Sequence, residues 1–82
     1  MLEGTIRKLD FQNRSAVIEE QNGNELLVRF PHRVNVEILE PETVGLMGGE
    51  LEDLEEGYEV ELELAKKNED GSFICDSIAC MS

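Results

Sequence analysis

Between Gly4 and Phe30, three strand-length segments follow one another with only turn formers between them: GTIRKLD, RSAVIEE and NELLVRF. That run leaves little room for anything but an antiparallel meander. Asp10-Phe11-Gln12-Asn13 has turn-forming residues at both ends, and Gln21-Asn22-Gly23-Asn24 contains Asn-Gly, the strongest short-range hairpin signal. In the second segment Ala16, Val17 and Ile18 are adjacent, which suits a strand in a tightly curved sheet better than an amphipathic helix. Leu26 to Phe30 forms the third strand, and Pro31 stops it because proline has no backbone donor to continue a ladder.

A second constraint lies further along. Tyr58, Val60, Leu62 and Leu64 alternate strictly with Glu59, Glu61 and Glu63, the pattern of a strand with one buried face and one row of carboxylates. Lys66-Lys67-Asn68-Glu69-Asp70-Gly71 then makes a charged turn into a last strand, Phe73 to Cys80, with Ile74 and Ile78 as expected core positions. Between the two strand-rich parts, Val34, Val36 and Ile38 alternate with polar and apolar neighbours, giving a short strand or extended edge that Pro41 ends. Glu42 to Gly49 has three glycines and no period, and is expected to be a mobile loop. Leu51 and Leu54 at i and i+3 fit one or two helical turns within Glu50 to Glu56, with Gly57 as C-cap.

The expected fold is therefore all-β: a small five-stranded OB-type antiparallel barrel, with a long loop and a short helical turn between its third and fourth strands. An SH3-like barrel is the main competitor. The 82 residues make one domain spanning 1–82, with 31–53 as an extended insertion. A chain of this length buries only about 60–65% of its unfolded surface, enough for one core.

The formal net charge is −12, and its distribution is uneven. Residues 1–33 balance Arg7, Lys8, Arg14, Arg29 and Arg33 against Glu3, Asp10, Glu19, Glu20 and Glu25. Residues 34–82 set only Lys66 and Lys67 against fourteen acids and so carry the whole excess. Such a charge opposes phosphate and anionic membrane at long range. No stretch approaches the roughly 20 apolar residues of a membrane helix, and no secretory signal opens the chain. Cys75 and Cys80, five residues apart on one expected strand, should point to opposite faces and be out of reach of each other. Reduced thiols fit a cytoplasmic protein.

The order of residues resembles a cold-shock domain, an OB-fold family that binds single-stranded nucleic acid. Gly4-Thr5-Ile6-Arg7 is similar to the family's opening Gly-Thr-Val-Lys. Asn13 to Ile18 falls where the family has Lys-Gly-Phe-Gly-Phe-Ile, and Leu26 to Phe30 where it has Val-Phe-Val-His-Phe. Leu54-Glu55-Glu56-Gly57-Tyr58-Glu59-Val60 is similar to its Leu-x-Glu-Gly-x-x-Val. The resemblance covers residues 4–30 and about 54–80, and it implies a binding face on the first three strands: Arg7, Lys8, Leu9, Arg14, Ser15, Val17, Leu27, Arg29 and Phe30.

The family stacks bases on aromatics of that face, worth about 1–3 kcal/mol per base. Here Lys8 stands where the family has Trp and Leu9 where it has Phe. Ser15 and Val17 replace the two Phe of the first motif, Leu27 and Arg29 replace Phe and His of the second, and only Phe30 is kept. The two motif glycines are Arg14 and Ala16. A patch of Leu9, Val17 and Leu27 rimmed by Arg7, Lys8, Arg14 and Arg29 suits an as yet unidentified partner protein better than bases. Weak, arginine-driven binding of single-stranded RNA or DNA on the same face is the alternative.

Other chemistries have less support. Glu50, Glu52, Asp53, Glu55 and Glu56 form a dense oxygen cluster, but without the spacing of a calcium loop. His32 is the only histidine and has no identifiable nucleophile beside it in sequence. No Gly-rich phosphate loop is present, since Gly45, Gly48 and Gly49 precede an acidic segment rather than Lys-Ser or Lys-Thr. The expectation is a non-catalytic binding module with no cofactor and no metal.

Overall fold

The computed structural model describes residues 2–39 and 46–80. In chain order these form β1 (Leu2–Asp10), β2 (Ser15–Glu20), β3 (Glu25–Arg29), β4 (Asn35–Leu39), β5 (Leu46–Gly49), a 3-10 turn (Leu51–Asp53), β6 (Glu59–Lys67) and β7 (Phe73–Cys80). The strands are ordered β3-β2-β1-β6-β7-β4-β5, and β3 also pairs with β7. That last pairing closes a ring of five strands, β1-β2-β3-β7-β6, which is a small OB-type barrel. Its joints are antiparallel except the closing one, where Val28 and Arg29 run parallel to Phe73 and Ile74.

One side of β7 serves two partners in succession. Its first residues pair with β3; its last four, Ser77 to Cys80, pair in parallel with Asn35 to Ile38 of β4. Between them the chain detours through Phe30 to Val34. Pro31 cannot donate to the ladder, its carbonyl accepts the Val34 N–H at 3.1 Å, and Phe30 turns inward. β5 then folds back antiparallel on β4, from Val36 opposite Gly49 to Leu39 opposite Leu46.

The core holds Ile6, Ala16, Ile18, Val28, Phe30, Val36, Leu51, Leu54, Val60, Leu62, Cys75, Ile78 and Cys80. The alternation in β6 puts Val60 and Leu62 inside, as its pattern requires, while Glu59 and Glu63 face water. Leu51 and Leu54 are both buried, joined by the Leu54 N–H to Leu51 carbonyl bond of the 3-10 turn. Each such aliphatic side chain contributes about 1.5–3 kcal/mol by leaving water.

Bulges decide which side chains enter this core. In β1 the register shifts between Ile6 and Lys8, so Arg7 is an extra residue and Leu9, not Lys8, packs inward. In β7, Ser77 faces Glu63 but Cys75 faces Leu64, leaving Asp76 unpaired. That single bulge reverses the alternation. Cys75 and Cys80 therefore both point into the core, where simple parity puts them on opposite faces.

Three other expectations change. Leu46–Gly49, read as part of a mobile loop, is strand β5; residues 42–45 of that stretch, like Pro41, lie outside the described residues. Gly49 lets β5 lie close, since a Cβ there would sit 2.9 Å from Ile38 Cγ1. The helical segment is one 3-10 turn ending at Asp53, and Gly57 (φ 94°) instead shapes a separate turn closed by the Tyr58 N–H to Glu55 carbonyl bond. No helix among the described residues is long and apolar enough to cross a membrane.

Candidate interaction face

The outer face of β1, β2 and β3 is built from cross-strand rows. Lys8 lies opposite Val17, and Val17 opposite Leu27, so one row runs cation, half-buried aliphatic, exposed aliphatic. Leu27 is 39% exposed. The next row is Asp10, Ser15 and Arg29; the row on the other side is Thr5, Glu19 and Glu25. Of the nine residues expected on this face, Arg7, Lys8, Ser15, Val17, Leu27 and Arg29 are there.

The other three are placed differently. Leu9 packs against the core from the inner side of β1. Phe30 is only 4% exposed, a core side chain rather than a surface ring. It continues the alternation of β3, two residues on from buried Val28 and so on the opposite face from Leu27 and Arg29. Arg14 sits in the turn before β2 with φ 52°, a left-handed conformation uncommon for a non-glycine residue. Its Nε donates to the Phe30 carbonyl at 3.1 Å and its Nη2 to the Pro31 carbonyl at 2.9 Å. The Phe30 N–H in turn donates to the Arg14 carbonyl at 2.8 Å. Arg14 thus ties the start of β2 to the exit of β3.

Two of the other cations, Arg7 and Arg29, are also engaged. Arg7 pairs with Glu19 at 2.5 Å on the surface. Arg29 Nε donates to Ser72 Oγ at 3.2 Å, and its Nη2 lies 3.4 Å from Asp70 Oδ2. Ser72 is buried. Its hydroxyl donates to Asp70 Oδ1 at 2.6 Å and accepts from Asn68 Nδ2 at 3.0 Å, so this polar network braces the junction where β3 meets β7. The Ser72 hydrogen bonds, with smaller help from Arg29, hold the Asp70 carboxyl below the usual carboxylate range. Lys8 alone among these cations has no hydrogen-bond or ion-pair partner among the described residues.

One exposed aromatic outside the motif positions adjoins the face. Phe11, 43% exposed, stands in the turn between β1 and β2. The signal was present: an aromatic flanked by turn formers has nowhere to go but the surface. Its turn is held by Asp10, whose carboxylate accepts from the Asn13 N–H at 3.1 Å and from Asn13 Nδ2 at 2.7 Å, which lowers the Asp10 pKa.

Beyond β1 the barrel surface turns acidic. Glu3 lies directly opposite Glu61, and Glu19 opposite Glu25. A shallow cleft is lined by Glu3, Thr5, Glu19, Glu20, Glu59 and Glu61. Like charges in facing positions oppose pairing. No cluster of three or more His, Cys, Asp or Glu among the described residues is arranged to hold a metal. The acids near the 3-10 turn serve local structure: Asp53 accepts the Glu50 N–H, Glu55 the Tyr58 hydroxyl, and Glu56 the Leu9 N–H.

His32 lies exposed in the turn before β4, remote in sequence from any nucleophile. Both thiols are buried. Burial pushes Cys75 up to about 12, and its Sγ–H donates to the Ser77 carbonyl. No protein-family model, no curated protein and no solved structure matches this chain.

Proposed function

We propose that this chain is a non-catalytic protein-interaction module: a cold-shock-like OB barrel that meets a partner protein in the cytoplasm through the outer face of β1 to β3. The row Lys8, Val17 and Leu27 carries this reading. Aliphatic carbon occupies the centre of the face, with Leu27 39% exposed. A patch of that kind offers apolar contact inside a charged rim, the arrangement of protein interfaces. Base stacking draws little support from a face whose one matching aromatic, Phe30, is inside the barrel. Phosphate contact is weakened too, because Arg7, Arg14 and Arg29 already have intramolecular partners. Both thiols are buried, which keeps them from acting as nucleophiles.

Two measurements test the reading. A labelled pyrimidine-rich single strand is titrated at ~50 and ~200 mM salt, where phosphate contacts give a steep loss of affinity. Pull-downs from native lysate compare the parent protein with Leu27→Asp, Val17→Asp and the distant Glu63→Lys. The expected result is no salt-sensitive nucleic-acid binding, and capture lost with the two face variants but kept with Glu63→Lys. Tight strand binding abolished by Lys8→Ala, or capture indifferent to Leu27→Asp and Val17→Asp, defeats it.

A further inference from the structure

The centre of the β1 to β3 face is a row of three side chains, Lys8, Val17 and Leu27, one from each strand. Neighbouring strands lie about 4.8 Å apart, so the row is about 10 Å long. The bulge at Arg7 creates it. Without that extra residue Lys8 would share the parity of Ile6 and point into the barrel.

Most charges around the row are already matched. Arg7 pairs with Glu19, Asp10 holds its turn through Asn13, and Arg29 is held by Ser72 and Asp70. Lys8 is exposed at one end and has no such partner among the described residues. Leu27 is exposed at the other end, and Val17 between them is half-buried. A complementary occupant brings one carboxylate and, on the same line, two apolar side chains.

Spacing selects its backbone. Side chains on one face of an α-helix recur at i, i+3 or i+4, and i+7, about 5–6 Å and 10.5 Å along the axis. A helix laid across the strands therefore matches the row to within about 1 Å. An extended segment repeats about every 6.7 Å on one face, so its third side chain would overshoot by about 3 Å. Backbone pairing cannot help an extended segment there, because β2 at the middle of the row is paired on both sides. A second copy of this chain brings no such helix, since the helical element among the described residues is the three-residue 3-10 turn.

We propose that the partner element on this face is an amphipathic α-helix laid across β1 to β3. Two of its apolar side chains, one turn apart, cover Leu27 and Val17, and a carboxylate a further turn along meets Lys8. This rests on the reading of the face as a protein-interaction surface and names what occupies it.

The test uses the whole, isotopically labelled protein and a fluorescein-tagged helical peptide of about 18 residues built on alanine and glutamine. Two leucines and a glutamate sit on one face at the stated spacing. One control peptide has lysine for the glutamate, and another carries a central proline that breaks the helix. Anisotropy reads affinity, and amide shifts read location. The glutamate peptide should bind about two- to fivefold more tightly than the lysine peptide, the contribution of one exposed ion pair. Bulk attraction to a protein of net charge −12 favours lysine, so a preference for glutamate reports the local cation. Lys8→Glu should reverse the preference, Glu63→Lys should leave it in place, and Leu27→Asp should weaken both peptides by about tenfold or more. Circular dichroism confirms that each variant is folded, and the shifts should centre on residues 8, 17 and 27. Equal binding of the two peptides, a preference for lysine, undiminished binding of the proline peptide, or shifts centred elsewhere overturns the proposal. If lysate capture then still depends on Leu27 and Val17, the face stands and its occupant is not this helix. If capture is indifferent to both, the face falls and the proposal with it.

Discussion

Gly4 leaves no room for a side chain between β1 and β2, and adding one methyl group there tests the geometry of the barrel. Gly4 pairs with Glu20 of β2 on one side and Val60 of β6 on the other, so it cannot shift without disturbing two ladders. A Cβ would sit 2.6 Å from Ile18 Cγ2 and 2.7 Å from the Glu19 carbonyl oxygen. The first contact is with a fully buried side chain, the second with backbone; neither gives way easily. Overpacking of this kind costs about 1–3 kcal/mol. Against it stands a gain of about 0.4–1 kcal/mol, because alanine restricts the unfolded chain. Gly4→Ala should thus destabilise by about 1–2 kcal/mol, lowering Tm by roughly 4–16 °C in a domain of this size. Gly48→Ala is the internal control, since a Cβ there meets nothing within 4 Å and only the unfolded-chain gain remains. Urea denaturation at constant m-value reads both. If Gly4→Ala were as stable as Gly48→Ala, β1 and β2 could not lie as close as described and the reasoning would fail.

Four other outcomes follow from particular contacts. Arg14→Ala removes two hydrogen bonds to the Phe30 and Pro31 carbonyls and should cost roughly 2 kcal/mol in chemical denaturation. A thiol reagent at pH 8 should label Cys75 no faster than the protein opens, because the thiol is buried and titrates at about 12. Its raised pKa makes the associated stability complete below the ordinary thiol range and lost as pH climbs toward that value. Asp70 has the opposite sign: its depressed pKa stabilises the fold above the ordinary carboxylate range, and that contribution disappears as pH falls through the folded value. Asp70→Asn should therefore flatten the acid limb of a stability–pH curve. Glu61→Lys, facing Glu3, should stabilise by about 0.2–1 kcal/mol at low salt and by less at high salt.

What the chain spelled out for itself was its local periodicity. Period-two burial in Tyr58 to Leu64, Asn-Gly after β2 and proline after β3 act over a few residues, so the strands of the five-membered ring and the inward positions of Val60, Leu62 and Ile78 could be read directly, while Ile74, also expected inside, is not among the core residues. Strand β5 could not, because four residues with two glycines have no period of their own and gain a strand only by pairing with β4. Nor could the bulges at Arg7 and Asp76, which depend on register between distant strands and reverse which side chains face in. The same holds for Arg14, which becomes a clamp because the pairing of β2 with β3 brings the Phe30 and Pro31 carbonyls within reach of its guanidinium. Phe30 differs: its inward position follows the parity of Val28 and is written in the alternation of the third strand.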